Sequence, residues 1–290
     1  MRSWGSGTKG THMTDIENIS IGVPALIGMA VAGTVKLLLP FVCWIVWRKK
    51  TQATWLPLFA GILGYLVIGT VRGVARALLL TPMQDTPWLF YIWQAVFAGV
   101  FEEGGRYLIF RYAIPHYDRY RDAVSYGIGH GGLEHMIVEN GGVLLYGFLT
   151  GLAYYLHGLA AFAPGEPAAF LMEGQDTAGM IGVLEGISEN TLVHCLFVTV
   201  NSVTSLLFQC CMSVLVFTAV RYAGHLKWLG AAFLLHVVTD IIPAFHFAGN
   251  LSATEVDVLL LLFTAGVVYL TYRVREAHDA NSVGDIPDLP

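Results

Sequence analysis

Carboxylates, imidazoles and an arginine recur along this chain at spacings of one helical turn. Glu102 and Arg106 are an i,i+4 pair and Glu103 and Arg106 an i,i+3 pair, while His130 with Glu134 and His236 with Asp240 are again i,i+4. A carboxylate one turn from an imidazole fixes its tautomer and orientation, and an arginine one turn from a glutamate holds that glutamate ionised. Groups of these types serve acid–base chemistry on water, hold a divalent cation, or relay protons.

The surroundings of these residues make them costly. Of 290 residues, 55% are hydrophobic and 13% charged, with a mean hydropathy of +0.60, which is the composition of a polytopic membrane protein. Glu102, Glu103 and Arg106 lie inside the apolar stretch Pro87 to Tyr112. A carboxylate at the centre of a spanning helix costs roughly 2.5–3.5 kcal/mol on the mildest scales, so an acidic pair there points to function. A net charge of −5 argues against nucleic acid as a partner, and on so apolar a chain the lipid bilayer is expected instead.

A span needs about 20 mostly apolar residues. The stretches 20–47, 55–80, 87–112, 122–160, 194–220, 227–247 and 255–273 qualify, predicting an all-α protein of about seven transmembrane helices, with Gly141-Gly142 a kink or break within the fourth. Arg48, Lys49 and Lys50 follow the first stretch, Arg111, Arg119 and Arg121 the third, Arg221 and Lys227 flank the next such turn, and Arg273 and Arg275 follow the last. The connections 81–86, 161–193 and 248–254 carry no lysine or arginine. This alternation predicts a multi-pass cell-membrane protein with its N-terminus outside and its C-terminus cytoplasmic.

Counting from the basic ends at about 1.5 Å per residue places Glu102, Glu103, His130 and His236 roughly 12–14 Å deep, with Glu134 and Asp240 one turn deeper and Arg106 one turn shallower. Each pair alone would be satisfied as mutual neutralisation. Their meeting at one depth on three helices argues for a site. Lys36, Arg72, Arg76 and Glu139-Asn140 fall at other depths and read as structural pairing or snorkelling; His194 and Asn201 lie near the outer end of their helix. Cys43, Cys195, Cys210 and Cys211 sit in apolar runs and read as small buried hydrophobes. Residues 1–13 have the composition of a tag remnant, residues 14–276 form a single transmembrane helical domain, and residues 277–290 are a polar cytoplasmic tail.

Three stretches carry a family resemblance: Glu102-Glu103-Gly104-Gly105-Arg106, Tyr126-Gly127-Ile128-Gly129-His130, and His236-Val237-Val238-Thr239-Asp240. Together they resemble the superfamily of CAAX-processing and bacteriocin-processing intramembrane proteases. The segments FEEGGRY and YGIGHGGLEH look especially like its YhfC branch. Two glycines separate Glu103 from Arg106 where the superfamily usually has three residues, and Asp240 stands where many members have asparagine.

The resemblance implies an intramembrane endopeptidase that hydrolyses a membrane-embedded or membrane-adjacent peptide or membrane-protein substrate. Glu102 or Glu103 would activate water, with Glu102 preferred; His130 would position it; His236, oriented by Asp240, would stabilise the oxyanion or protonate the leaving amine. Arg106, Glu134 and Tyr126 would support them. A mechanism with no cofactor is weighed above zinc held by His130, His236 and Asp240, because His130-Gly-Gly-Leu-Glu134-His135 is one residue longer than the inverted zinc motif. A proton-coupled transporter or a non-catalytic membrane scaffold would draw on the same residues. The depth count suggests presentation of substrate from the cytoplasmic side.

Overall fold

The computed structural model describes residues 19–80, 83, 85–137, 141–222 and 224–282, and among these there is no strand. Glu139-Asn140, residues 1–13 and the end of the polar tail lie outside the described residues. Helices run over Val23–Thr51 (α1), Trp55–Leu79 (α2), Pro87–Leu108 (α3), Tyr120–Ile137 (α4), Gly141–His157 (α5), Thr177–Ser188 (α6), Leu192–Arg221 (α7), Lys227–Phe247 (α8) and Ala253–Ser282 (α9). The chain is an all-α polytopic membrane protein. Among the described residues, helices long and apolar enough to cross a bilayer are Val23–Thr51, Trp55–Leu79, Gly142–Phe162, Leu192–Arg221, Lys227–Phe247 and Ala253–His278. α3 has the length, at 22 residues, but its two glutamates and arginine lower its hydropathy. The fourth apolar stretch holds two helices, α4 and α5, beside the expected break at Gly141.

The chain divides into two compact units. The first comprises the N-terminal part of α1 to Leu37, α5, two short 3-10 turns, α6, and α7 up to Thr199. Leu26, Met29, Leu184, Ile187 and Cys195 form its core, and α6 begins at Asp176, whose carboxylate accepts from the Gly179 N–H.

The second unit holds α2, α3, α4, α8, α9 and the remainder of α1 and α7. Its core is built on Phe110, Tyr126, Met212, Leu215 and Phe217. α2 packs on α4 and α3, and α3 packs on α8. A π-turn at Ile109–Ala113 ends α3, and the carbonyls of Phe110 and Ile114 there accept from Arg221 Nη2 at 2.9 Å each, so α7 caps the helix that carries the glutamate pair.

Glycine sets the approach of α2 to α4. A Cβ at Gly61 would overlap the carbonyl of Tyr126, and one at Gly129 the carbonyl of Leu58. These are backbone atoms that no rotamer change can clear. Gly61→Ala is therefore expected to lower stability by roughly 1–3 kcal/mol, read by thermal unfolding of the detergent-solubilised protein. Gly230→Ala, where a Cβ meets nothing within 4 Å, should leave the transition within about 0.5 kcal/mol of the parent.

Candidate functional site

α3 presents Glu102, Glu103 and Arg106 on one buried face, at 1%, 1% and 0% exposure. α4 contributes His130 and Glu134, and α8 contributes His236 and Asp240. The two glutamates, though adjacent, have different partners. Glu103 Oε2 accepts from Arg106 Nη1 at 3.1 Å, and Glu103 Oε1 lies 2.6 Å from His236 Nδ1. Glu102 Oε1 pairs with the Arg72 guanidinium of α2, while its Oε2 lies 3.3 Å from His130 Nε2 and 3.6 Å from His236 Nε2.

One imidazole is thus held between the two carboxylates. With Glu103 accepting at Nδ1, the proton of neutral His236 sits on Nδ1 and Nε2 is left as the basic nitrogen facing Glu102. His130 is fixed differently: the Tyr126 ring stacks on it at 5.8 Å and the Tyr65 ring meets it edge-on at 5.3 Å. Its Nδ1 is buried with no hydrogen-bond partner among the described residues.

Gln209 of α7 ties the remaining charges together. Arg106 Nη2 donates to Gln209 Oε1 at 2.5 Å, and Gln209 Nε2 donates to Glu134 Oε2 at 2.6 Å. The arginine and the Glu134 carboxylate in the last turn of α4 are linked through one neutral amide.

The chemistry of the donors fits a divalent ion. Glu102, His130 and Glu134 each offer one ligand atom, all within 4.8 Å of one another, and Glu102 and His130 are buried. Two carboxylates and an imidazole suit zinc or a similar first-row cation.

A cleft of about 680 Å³ adjoins this group. Tyr65, Arg72 and Arg76 from α2, Gln94 from α3, and Asp240 and Phe247 from α8 line it. Arg72 and Asp240 stand between the cleft and the buried glutamates, Asp240 being 37% exposed.

Every residue expected at the site falls in this neighbourhood, with three differences. Asp240 Oδ1 is 4.0 Å from His236 Nε2, so the close partner of His236 is Glu103, not Asp240. The three-donor group is Glu102, His130 and Glu134, not His130, His236 and Asp240. Access also differs, because the lining belongs to the C-terminal halves of α2 and α8 and the N-terminal half of α3, away from the basic connections rather than toward them. Arg72, read as structural, is an ion-pair partner of Glu102, and Gln209 was not anticipated. Arg72 escapes a depth count because helical side chains slant toward the helix N-terminus, which carries its guanidinium back by about one turn. Asn201 donates instead to Asp257 of α9.

A sequence model of a family described as YhfC intramembrane metalloprotease matches residues 35–261. The chain belongs to this family. It is also similar to a Bacillus subtilis (strain 168) protein described as uncharacterized membrane protein YhfC, with 25% identity over 261 residues that cover 87% of this chain and 96% of that protein. No solved structure matches. The family description and the Glu102, His130, Glu134 group make zinc plausible and leave the expectation of a cofactor-free site without support.

Removing one partner of a buried ion pair strands the other. Arg106→Met is expected to cost roughly 3–5 kcal/mol, and Glu103→Gln in the same chain to recover part of it. A double-mutant cycle of unfolding midpoints in detergent checks this; equal loss in single and double variants would contradict the pairing.

Proposed function

We propose that this protein is a metal-dependent intramembrane endopeptidase of the cell membrane that hydrolyses peptide bonds in membrane-embedded or membrane-adjacent segments. The observation that carries the reading is the Glu102, His130 and Glu134 group, with ligand atoms within 4.8 Å and its first two members buried, in a chain of a family described as intramembrane metalloproteases. The stretches that resemble the CAAX- and bacteriocin-processing proteases support it.

Glu102, His130 and Glu134 would hold the ion. When bound, a zinc-class ion supplies Lewis acidity toward water and the peptide carbonyl. His236 takes a proton at Nε2 as water oxygen adds to the carbonyl carbon, and returns it to the nitrogen as the C–N bond breaks. Glu103, 2.6 Å from His236 Nδ1, keeps the ring in the tautomer that leaves Nε2 free and stabilises the imidazolium that forms. Arg106 holds Glu103 in place by an ion pair at 3.1 Å, and Arg72 balances Glu102 from the side of Oε1. Asp240 and Arg72 face the substrate cleft.

The alternating basic connections support an N-terminus outside and a C-terminus in the cytoplasm. The cleft then lies in the outer half of the bilayer, and the substrate segment reaches the site from there.

Purified protein is expected to carry about one zinc-class ion per chain and to cleave a quenched-fluorescent apolar peptide, with ion and cleavage lost together on chelation. His130→Ala should lower metal content, whereas Glu103→Gln should keep the metal and cut kcat by about 10²–10⁴-fold. Cleavage that persists in metal-free protein would overturn the metal and leave Glu102 as the base, since both imidazoles lie 3.3 and 3.6 Å from its Oε2.

A further inference from the structure

Of the charged residues that line the cleft, Arg72, Arg76 and Asp240, Arg76 is the one that the proposed chemistry does not use. It lies one turn beyond Arg72 on the same face of α2, exposed within the cleft. Arg72 is matched by Glu102, and Asp240 faces His236. Arg76 Nη1 donates to the neutral Oε1 of Gln94 at 3.1 Å, and among the described residues Arg76 meets no carboxylate. A snorkelling arginine would send its head away into water. This one is held across the cleft by a side chain of α3, and the connections at that end of the helices, 81–86 and 248–254, carry no other lysine or arginine.

The room beside it suits an extended chain. Gly69 and Gly73 line the cleft on the same stretch of α2, and a Cβ at Gly73 would meet nothing within 4 Å. Tyr91, Phe97 and Phe247 give the cleft an apolar wall. An apolar segment with one matching charge is what such a surface accepts.

We propose that the cleft is the groove for the substrate segment and that Arg76, steadied by Gln94, binds a carboxylate of that segment. The inference rests on the peptidase reading. Arg72 marks the level of Glu102, and Arg76 stands about 6 Å further along the helix. At about 3.3 Å per extended residue the acidic side chain falls about two residues from the bond that is cut. A guanidinium facing a carboxylate in a lipid-shielded groove makes a charge-assisted hydrogen bond that a glutamine of the same shape does not. Arg76 is thus a specificity-determining residue, and the substrate class is an apolar peptide with one acidic position.

Binding tests this apart from cleavage. Fluorescein-labelled, amidated apolar decapeptides with a central Glu, Gln or Lys are titrated by anisotropy against full-length Glu103→Gln protein, whose slowed turnover keeps the probe whole. The Glu peptide is expected to bind at least about tenfold more tightly than its Gln twin. Arg76→Gln should bring the two within about twofold, and Arg76→Glu should favour the Lys peptide. Gln94→Glu, which keeps the arginine and gives it an internal carboxylate, should also abolish the preference, so the inference stays testable if an Arg76 variant does not fold. Equal binding of Glu and Gln peptides to the Arg76 protein would overturn it. So would a preference seen in phosphatidylcholine nanodiscs but erased by phosphatidylglycerol, which would assign Arg76 to lipid phosphate. A protein that discriminates the peptides yet cleaves none would sink the peptidase reading and leave the acidic-segment site standing.

Discussion

Two carboxylates side by side on one turn of a membrane helix repel each other and lose their water, so each needs its own source of positive charge. The protein supplies these from different directions. Glu103 is held by Arg106 from its own helix, at 3.1 Å, and Glu102 by Arg72 from α2. Separate counter-charges let the two acids differ in role. One is left with an oxygen toward two imidazoles and the other is committed to orienting a single imidazole. Without this division the pair would share one proton and neither role would be defined.

Such an arrangement is affordable only because four helices, α2, α3, α4 and α8, come close enough for direct contact. Helix association in a bilayer gains little from burying apolar surface against lipid and relies on packing and polar contacts. Gly61 and Gly129 remove the side chains that would hold α2 and α4 apart, which brings Tyr65 to the edge of the His130 ring. Arg221 of α7 satisfies the carbonyls where α3 ends in a π-turn, so the helix bearing the acids has a fixed terminus. Packing and capping here act on the same few side chains that the chemistry needs.

Much of this was legible in the sequence. Apolar run length gave the helices, because a bilayer demands about 20 residues whatever the fold. Counting depth along straight rods gave the level shared by Glu102, Glu103, His130 and His236. What the count missed has a common cause: side chains have length and direction. Arg72 reaches back along its helix to the level of the acids, and Gln209, a neutral residue in an apolar span, carries no mark of its role until its two neighbours are known. The partner of His236 was misjudged for a related reason. An i,i+4 spacing makes contact possible, but the carboxylate that meets the ring comes from across the helix interface, and the same geometry draws Glu134 toward Glu102 and His130.

Gln209 has a further consequence. A guanidinium has only donors, so it must face the amide oxygen, and an ionised carboxylate has only acceptors, so it must face the amide nitrogen. The amide therefore has one permitted orientation: Gln209 donates to Glu134 and accepts from Arg106, Arg106 also donates to Glu103, and Glu103 accepts from His236 as well. Helix α7 contributes no charge to this run, yet its amide fixes which end meets the carboxylate and which the arginine. If Glu134 changes its bonding, the change reaches the imidazole on α8 through three side chains, Gln209, Arg106 and Glu103, whose donors and acceptors cannot be exchanged.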